Sequence, residues 1–339
     1  MRCNTGMPDG GRIASRMELS VSERFATTPD GWSLHLKRTV APARFDPSLR
    51  PLIIVPGYGM NSFIFGYHPR GTSMERCLAE EGFEVWSVNL RGQGPSRGVT
   101  RRPAQPTLRR LADVDLGTVI DAVLTHPRTR ADRAVMLGCS LGGSLSFAHV
   151  ALRRHHRIAG IVAMGAPLRW VERPAILRLI FRSRRLAGLM RVGGTRRMAG
   201  LALPVAGRLP FLLRMYANTA HIDMKAAREM VKTVEDPHPR VNRDIAAWVK
   251  GGDMVLRGVN VTEAMRTVDL PLLVVAANRD GVVPVSTAMS AADVWGGGDV
   301  ARLLVGTDDE WYAHACMFVG DRAKLHVFDP VAAWLRERA

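Results

Sequence analysis

The sequence predicts an α/β protein in which a mostly parallel sheet has helices on both faces and is interrupted by a helical insertion. Short apolar runs alternate with helical periodicity between residues 51 and 167, which is typical of parallel strands joined by crossover helices. From about residue 168 to residue 266 we find helical stretches and no convincing buried strand. The strand pattern resumes at residues 270–278, so the rest of the sheet is expected after the insertion.

The first half of the chain opens with a predicted β-hairpin. Residues 24–39 form two alternating runs around a Pro-Asp-Gly sequence, which favours a turn. PLIIVPG, residues 51–57, is an apolar run that ends in Pro-Gly and predicts a buried parallel strand. Thr72 precedes Glu75 by three residues, a capping-box spacing, so a helix is expected to start there and to end at Gly82.

The remaining elements continue this alternation to the end of the chain. Strands are predicted at residues 84–90, 133–139, 157–167, 270–278 and 301–307, and helices at residues 108–126, 140–155 and 328–338. The chain is therefore predicted to divide into a disordered leader at residues 1–20, a core at residues 21–167 and 267–339, and a helical cap at residues 168–266.

The charge balance is unusual for a globular chain of this size. There are 47 basic and 31 acidic residues, a formal net charge of +16, and only five of the basic residues are lysines. The arginine excess has two interpretations, a coding bias or attraction to an anionic partner such as a phospholipid surface or a charged substrate. A hydrophobic fraction of 47% and a charged fraction of 23% are otherwise typical of a globular protein with a core.

The cysteines and the N-terminus indicate the compartment. Cys3, Cys77, Cys139 and Cys316 are widely spaced and form no CxxC pair, so neither a zinc site nor a disulfide framework is expected. The N-terminus lacks the apolar stretch of a secretory signal, and no window of about eighteen apolar residues suggests a membrane span. We expect a cytoplasmic protein that needs no cofactor and no metal, with Met17 as an alternative start.

The candidate nucleophile lies in the segment Gly138-Cys139-Ser140-Leu141-Gly142, which matches G-x-S-x-G. The pattern occurs often by chance and can then be a simple tight turn. Here a predicted strand precedes it and a predicted helix follows it, which would hold the central residue on a sharp, strained turn at the carboxyl edge of the sheet. Ser140 is that central residue, whereas Cys139 ends the strand and should point away from the site.

A serine hydroxyl needs a base, and the base needs an acid to orient it. Of the ten histidines, His314 has the required context, because it follows the last predicted strand and precedes the last helix. Asp280 follows the strand at residues 270–278, although an aspartate before glycine is also common in turns. Asp308 and Asp309 are alternative acids, with the appearance of solvated loop residues.

Several segments besides the candidate triad carry a resemblance to a known superfamily. VPGYG follows the third predicted strand, NLRGQGPS follows the fourth, and NRDGVVP surrounds Asp280. From about residue 24 to its end, the chain resembles the α/β-hydrolase superfamily, whose order of nucleophile, acid and histidine it shares. The resemblance implies an α/β-hydrolase fold with a mostly parallel central sheet and a helical cap insertion.

Within the superfamily, the chain is similar to the branch that contains acid lipases and poly(hydroxyalkanoate) synthases. The segments that carry this similarity are residues 71–97, 137–168 and 312–335. The polymer synthases carry cysteine at the centre of the elbow, whereas this chain carries Ser140. The resemblance therefore implies hydrolysis more than polymerisation.

Two backbone amides are expected to form the oxyanion hole. One is Leu141, the residue after the nucleophile, and the other comes from the loop after the strand at residues 51–57. We predict Tyr58 as this second donor, with Gly59 next to it. Many relatives have His-Gly where this chain has Pro56-Gly57, so a side chain that often supports the loop is missing.

The composition of the predicted cap indicates which substrates the protein could bind. Residues 166–214 contain eleven arginines and one acid, Glu172, among apolar runs. Basic and apolar residues on the same helices suit contact with an anionic membrane surface. Alternatively, the cap packs its apolar face on the active-site mouth and leaves its arginines in water. In both cases we expect an apolar pocket for medium or long acyl chains, and no nucleic-acid partner, because aromatic residues do not interleave with the basic ones.

The predicted function is that of a serine hydrolase of esterase or lipase type, which cleaves small-molecule or lipid carboxylic esters through an acyl-enzyme. Two alternatives remain. An acyltransferase would use the same Ser140, Asp280 and His314, with an alcohol or thiol in place of water. A non-catalytic binding protein would share the fold without needing the three residues together. The sequence favours no particular oligomeric state.

Overall fold

A computed structural model describes residues 17–189, 193–206 and 213–338 of the chain. Most of the predicted leader, residues 1–20, lies outside these ranges. Ser20 already belongs to the first strand, so regular structure begins one residue before the predicted start of the core.

The strands account for most of the buried backbone. In chain order, those in the described ranges are β1 (Ser20–Thr27), β2 (Trp32–Val40), β3 (Leu52–Val55), β4 (Val85–Asn89), β5 (Arg97–Gly98), β6 (Ala134–Cys139), β7 (Ile158–Met164), β8 (Val255–Leu256), β9 (Val259–Asn260), β10 (Leu272–Ala277) and β11 (Val300–Val305). Each strand predicted from the sequence is present, with ends that differ by a few residues.

The α-helices connect these strands, and several of them lie in the segment predicted as the cap. In chain order, those in the described ranges are α1 (Met74–Glu80), α2 (Leu108–Arg110), α3 (Leu116–Leu124), α4 (Leu141–Leu152), α5 (Ala175–Ile180), α6 (Arg184–Leu189), α7 (Thr195–Ala206), α8 (Ala227–Met230), α9 (Pro239–Gly251), α10 (Val261–Met265), α11 (Val285–Val294), α12 (Cys316–Val319) and α13 (Asp329–Arg336). None of these described helices has both the length and the apolar character needed to cross a bilayer.

The main sheet is mixed and mostly parallel, in the order β1-β2-β4-β3-β6-β7-β10-β11, and the short strand β5 also pairs with β2. In this order, the pairs β1–β2 and β2–β4 are antiparallel. Every following pair, from β4–β3 to β10–β11, is parallel. Two apolar clusters cover the faces, one with helices α2–α4 and α9–α11 and the other with α1, α12 and α13. The predicted parallel α/β sheet with helices on both faces is confirmed.

The start of α1 differs from the prediction by one residue. Ser73, and not Thr72, is the N-cap, and its hydroxyl accepts a hydrogen bond from the Arg76 amide at 3.4 Å. The Glu75 side chain does not complete a capping box, since its carboxylate lies 2.9 Å from Nζ of Lys37 on β2. The capping role predicted for Thr72 is therefore wrong, because the helix begins one residue later and the third helical residue after Ser73 is Arg76, not a glutamate.

The segment predicted as the cap, residues 168–266, contains helices α5–α10 and a small antiparallel hairpin of β8 and β9 that was not predicted. These strands have two residues each, too few for a visible alternating pattern. Helix α9 packs on α6, and α10 packs on the core helix α4. The helices of this segment thus lie between β7 and β10 in the chain, and α10 contacts the core through α4.

A buried ion-pair network ties the first hairpin to the centre of the sheet. The Arg91 guanidinium, directly after β4, is fully buried and contacts Asp115 at 2.5 Å and Asp30 at 2.8 Å. Asp30 lies in the β1–β2 turn, and Asp115 ends a wide helical turn before α3. The Asp115 carboxylate also accepts the Arg91 amide at 3.0 Å. One cation therefore satisfies two carboxylates from distant parts of the chain.

The network generates a stability prediction for Arg91→Met. The substitution keeps most of the side-chain volume but leaves the Asp115 carboxylate buried without its cation. We expect the free energy of unfolding to fall by about 3–5 kcal/mol, measured by urea unfolding followed by circular dichroism. The matched control is Arg302→Met, which removes the exposed ion pair between Arg302 and Asp293. The control should cost no more than about 1 kcal/mol, and equal losses in both variants would refute a special role for the network.

Candidate active site

The turn between β6 and α4 holds Ser140 in a strained conformation. Cys139 is the last residue of β6, Leu141 is the first residue of α4, and Ser140 between them has φ 53° and ψ −123°. Non-glycine residues rarely adopt this region, and where they do, the strain is often functional. The Ser140 amide donates to the carbonyl of Met164 at the end of β7, at 2.8 Å, which anchors the turn to the neighbouring strand.

The glycines of the G-x-S-x-G pattern are required by backbone packing. A Cβ atom at Gly138 would lie 2.3 Å from the Cα atom of Gly143, and a Cβ atom at Gly142 would lie 2.2 Å from the carbonyl oxygen of Val55. Both contacts are with backbone, which cannot rotate away. Strand β6, helix α4 and the end of β3 therefore approach each other as closely as they do only because these positions are glycine.

Cys139 and Ser140 are adjacent in the chain but differ in burial, since one lies in the core and the other at a cavity. Cys139 is completely buried in the apolar cluster on one face of the sheet, and this burial raises the pKa of its thiol. A thiol in such surroundings stays protonated and is a poor nucleophile. Ser140 lines an open cavity at the edge of the sheet.

Asp280 and His314 form a buried pair. The His314 Nδ1–H donates to Asp280 Oδ2 at 2.6 Å, and both side chains are almost fully buried. The other carboxylate oxygen accepts the amides of Val282 and Val283 at 2.8 and 2.9 Å. Gly165, with φ 56°, makes room for the imidazole, because a Cβ atom there would lie 3.0 Å from His314 Cε1. The carboxylate can therefore hold one orientation of the ring.

Ser140 and His314 line the same cavity, which has a volume of about 270 Å³. No hydrogen bond joins the two side chains in the described ranges, and such bonds are often long in unliganded enzymes. The other lining residues are mostly apolar: Tyr58, Met60, Ile64, Leu213, Tyr216, Ala217, Ile222, Met224, Met230, Val231, Thr233, Val234, Val282, Ala315, Phe318 and Val319. The structure thus brings the predicted nucleophile and base to one apolar space.

The two amides predicted for the oxyanion hole lie on elements that meet at Ser140. Leu141 is the first residue of α4, so its N–H has no carbonyl partner within the helix. Tyr58 follows β3, and the loop passes against the nucleophile, since a Cβ atom at Gly57 would lie 3.0 Å from Ser140 Cβ. Among the described residues, neither the Leu141 nor the Tyr58 amide donates to a protein acceptor. Their role as oxyanion donors stays a prediction.

Asn242, which the sequence analysis did not identify, holds the Tyr58 side chain. The Tyr58 hydroxyl donates to Asn242 Oδ1 at 2.6 Å, and Asn242 is completely buried on α9 of the cap. The Tyr58 ring also packs edge-on against Phe181 at 6.3 Å, and burial raises the pKa of Tyr58 to about 12, so the hydroxyl remains a donor. The one available signal was an asparagine beside Val241 and Ile245 on the apolar face of α9.

Two other residues of the segment predicted as the cap contact the loops that carry Asp280 and His314. The Ala315 amide, next to His314, donates to the Tyr216 carbonyl at 2.8 Å. The Gly281 amide, next to Asp280, donates to the Met215 carbonyl at 2.9 Å. The geometry of the pair therefore depends on contacts from the cap.

In the described ranges, no group of three or more His, Cys, Asp or Glu side chains is placed to hold a metal ion. The expectation that the protein uses no cofactor stays a prediction.

Solved structures that resemble the chain share its overall fold. An esterase from Rhodococcus sp. ECU1013 aligns with a TM-score of 0.63 and 19% identity over 94% of this chain and all of the other. A thermophilic esterase from Thermogutta terrifontis gives 0.63 and 18% over 94% of this chain and 99% of the other. A bromoperoxidase from Bacillus anthracis gives 0.60 and 13% over 93% of this chain and all of the other. Likeness at this level of identity establishes the α/β-hydrolase fold.

A family model identifies the chain more closely than the fold does. The model of the serine aminopeptidase S33 family matches residues 53–302, which include the elbow and Asp280. The match covers most of the chain, from the first parallel strand to the last. The chain therefore belongs to the serine aminopeptidase S33 family within the α/β-hydrolase superfamily.

Proposed function

We propose that the protein is a serine hydrolase that cleaves carboxylic esters through an acyl-enzyme. The observation that carries this proposal is the shared apolar cavity, which is lined by Ser140 on its strained turn and by His314 paired with Asp280. A nucleophile, a base and an orienting acid that meet at one cavity are the parts that acyl transfer to serine requires.

Each residue has one role in the proposed reaction. Ser140 Oγ attacks the acyl carbon while His314 Nε2 accepts its proton and then returns it to the leaving alcohol. Asp280 holds the His314 ring and stabilises the imidazolium, and the amides of Leu141 and Tyr58 donate to the oxyanion. His314 then takes a proton from a water molecule, which attacks the acyl carbon, and His314 returns that proton to Ser140 Oγ as the bond from this oxygen to the acyl carbon breaks and the carboxylic acid leaves.

The lining of the cavity favours a neutral acyl group over a peptide N-terminus, although the family is described as serine aminopeptidases. An aminopeptidase has to bind an ammonium group, for which a carboxylate is the usual partner. No aspartate or glutamate is among the described residues that line this cavity. Acyl transfer to an alcohol would use the same residues, and it would appear as product formation that depends on an added acceptor.

The size of the cavity limits the acyl chain. A volume of about 270 Å³ is space for about nine groups the size of a water molecule or a methylene, at about 30 Å³ each. This is near the lower end of the volumes of small-molecule pockets, about 300–1,000 Å³. We therefore propose acyl chains of medium length as the preferred substrates.

The first prediction concerns the nucleophile. Ser140→Ala should lower kcat for p-nitrophenyl ester hydrolysis by at least about 1,000-fold, because no other group can form the acyl-enzyme. The control is Cys139→Ala, which alters the buried neighbour and should keep kcat within a few-fold of the unchanged protein. Full activity in Ser140→Ala would remove the proposed mechanism.

The second prediction concerns the acyl chain. Across p-nitrophenyl esters from acetate to palmitate, kcat/KM should be highest near the octanoate. Met230→Trp fills part of the cavity and should shift the optimum to shorter chains, with the acetate little affected. Leu325→Trp is the control, since Leu325 is exposed and does not line the cavity. An unchanged chain-length profile in Met230→Trp would show that the cavity does not bind the acyl group.

The third prediction concerns the support of the oxyanion loop. Tyr58→Phe removes the hydroxyl that donates to Asn242 and leaves the Tyr58 amide in place. Loss of one hydrogen bond should lower kcat by about 2- to 10-fold and leave KM nearly unchanged. Tyr67→Phe serves as the control, because the Tyr67 ring stacks on Phe63 and Tyr67 does not line the cavity.

A double variant separates positioning from general destabilisation. If Tyr58 acts through Asn242, adding Asn242→Leu to Tyr58→Phe should lower kcat by less than the two single effects combined. Fully additive losses, or an effect on KM alone, would contradict a positioning role for the Tyr58–Asn242 bond.

A further inference from the structure

Exposed apolar side chains are concentrated on one part of the cap. Of the sixteen large apolar residues that are exposed in the described ranges, ten lie between residues 171 and 216. The three most exposed are Leu201 at 79%, Leu189 at 76% and Leu179 at 66%. Single exposed leucines are ordinary on protein surfaces, but such a concentration usually marks an interaction site.

The same short helices carry exposed arginines and no acids. The exposed arginines of α5–α7 and of the turn between α5 and α6 are Arg178, Arg182, Arg184, Arg185, Arg196 and Arg197. Residues 175–189 and 193–202 contain no aspartate or glutamate. Within the described residues only Arg196 has a carboxylate within 4 Å, that of Glu235. We call these arginines and the exposed residues Ile176, Leu179, Ile180, Leu186, Leu189, Met198 and Leu201 the cap surface.

The helices of the cap surface are held by few buried side chains. Phe181, at the end of α5, and Ala187, within α6, are buried, and Leu177 is half-buried. Seven larger apolar side chains of the same helices, those already named in the cap surface, are exposed. A helix whose polar face is basic and whose apolar residues are exposed is typical of segments that lie in the interface of a bilayer.

We propose that the cap surface docks on an anionic phospholipid membrane. The exposed leucines would enter the boundary between head groups and acyl chains, while the arginines pair with lipid phosphates and the negative surface potential. A second copy of the chain fits less well, because a two-fold interface sets each patch against its own counterpart. Six exposed arginines, of which five have no carboxylate within 4 Å among the described residues, would then face six more.

The docking surface is connected to the cavity. Phe181 packs on Tyr58 of the oxyanion loop, and Tyr216, half exposed, has its ring 6.0 Å from the His314 ring. The cap surface is therefore linked to the candidate site through Phe181 and Tyr58, and none of its own residues lines the cavity. Docking is a property of the surface alone and does not rest on the proposed esterase activity.

The test is sedimentation of the full chain with lipid vesicles. The chain should bind phosphatidylcholine vesicles that contain about one third phosphatidylglycerol, and bind pure phosphatidylcholine vesicles at least about tenfold more weakly. Binding should weaken as NaCl is raised from about 0.1 M to about 1 M, because the screening length falls from about 10 Å to about 3 Å. Equal binding to both vesicle types, or none to the anionic vesicles, would overturn the proposal.

Two triple variants test the two halves of the surface. Leu179→Ser, Leu189→Ser and Leu201→Ser together remove the apolar part, and Arg182→Gln, Arg185→Gln and Arg197→Gln together remove half of the charge. Each should lower the vesicle partition coefficient at least about tenfold.

The matched controls change exposed residues of the same types elsewhere: Val21→Ser, Leu304→Ser and Leu325→Ser, and Arg101→Gln, Arg102→Gln and Arg130→Gln. Controls that lose as much binding as the cap variants would overturn the proposal, since net charge or hydrophobicity would then explain the effect.

Two further measurements separate this proposal from its rivals. Hydrolysis of the soluble p-nitrophenyl butyrate should be the same in the cap variants and the unchanged protein, so failure of docking and failure of catalysis are distinguishable. Analytical ultracentrifugation should show the same association state in the unchanged protein and in the leucine variant. A dimer that the leucine substitutions dissociate would assign the surface to a second copy and refute membrane docking.

Discussion

Close backbone packing at the carboxyl end of β6 is the constraint on which the rest of the candidate site depends. Gly138 and Gly142 let strand, helix and the end of β3 approach within distances that no side chain would permit. That approach forces Ser140 into a positive φ and places it at the sheet edge, next to the loop that carries Tyr58. The position of Ser140 is therefore set by the close-packed backbone of β6, α4 and the end of β3.

Residues of the segment predicted as the cap hold several loops of the core at the candidate site. Asn242 holds the Tyr58 side chain, and the carbonyls of Met215 and Tyr216 accept the amides beside Asp280 and His314. Each of these contacts joins a loop of the core to a residue far away in the sequence. Movement of the segment predicted as the cap would thus displace Tyr58 and the neighbours of Asp280 and His314 together, because all of them contact this segment.

Arginines of the core and arginines of the cap differ in burial and in their pairing with carboxylates. Arg91 is fully buried, and its guanidinium is matched by the carboxylates of Asp30 and Asp115. The arginines of α5–α7 are exposed, and most have no carboxylate nearby among the described residues. A buried cation needs carboxylates of the same protein to offset the cost of its desolvation. An exposed cation remains solvated and is available to bind an anionic partner. The same residue type therefore holds the fold together in one place and forms an outward-facing surface in another.

The sequence by itself determined the alternation of strands and helices, the elbow around Ser140, and the chain order of Ser140, Asp280 and His314. These features are readable because strand and helix periods and turn residues are local, and because parallel strands bring their carboxyl ends to one edge. Tertiary structure alone decided the pairing of Glu75 with Lys37 and the bond from Tyr58 to Asn242. It also decided which leucines of the cap face water. Such contacts depend on the folded positions of residues up to 184 apart, which no local pattern encodes.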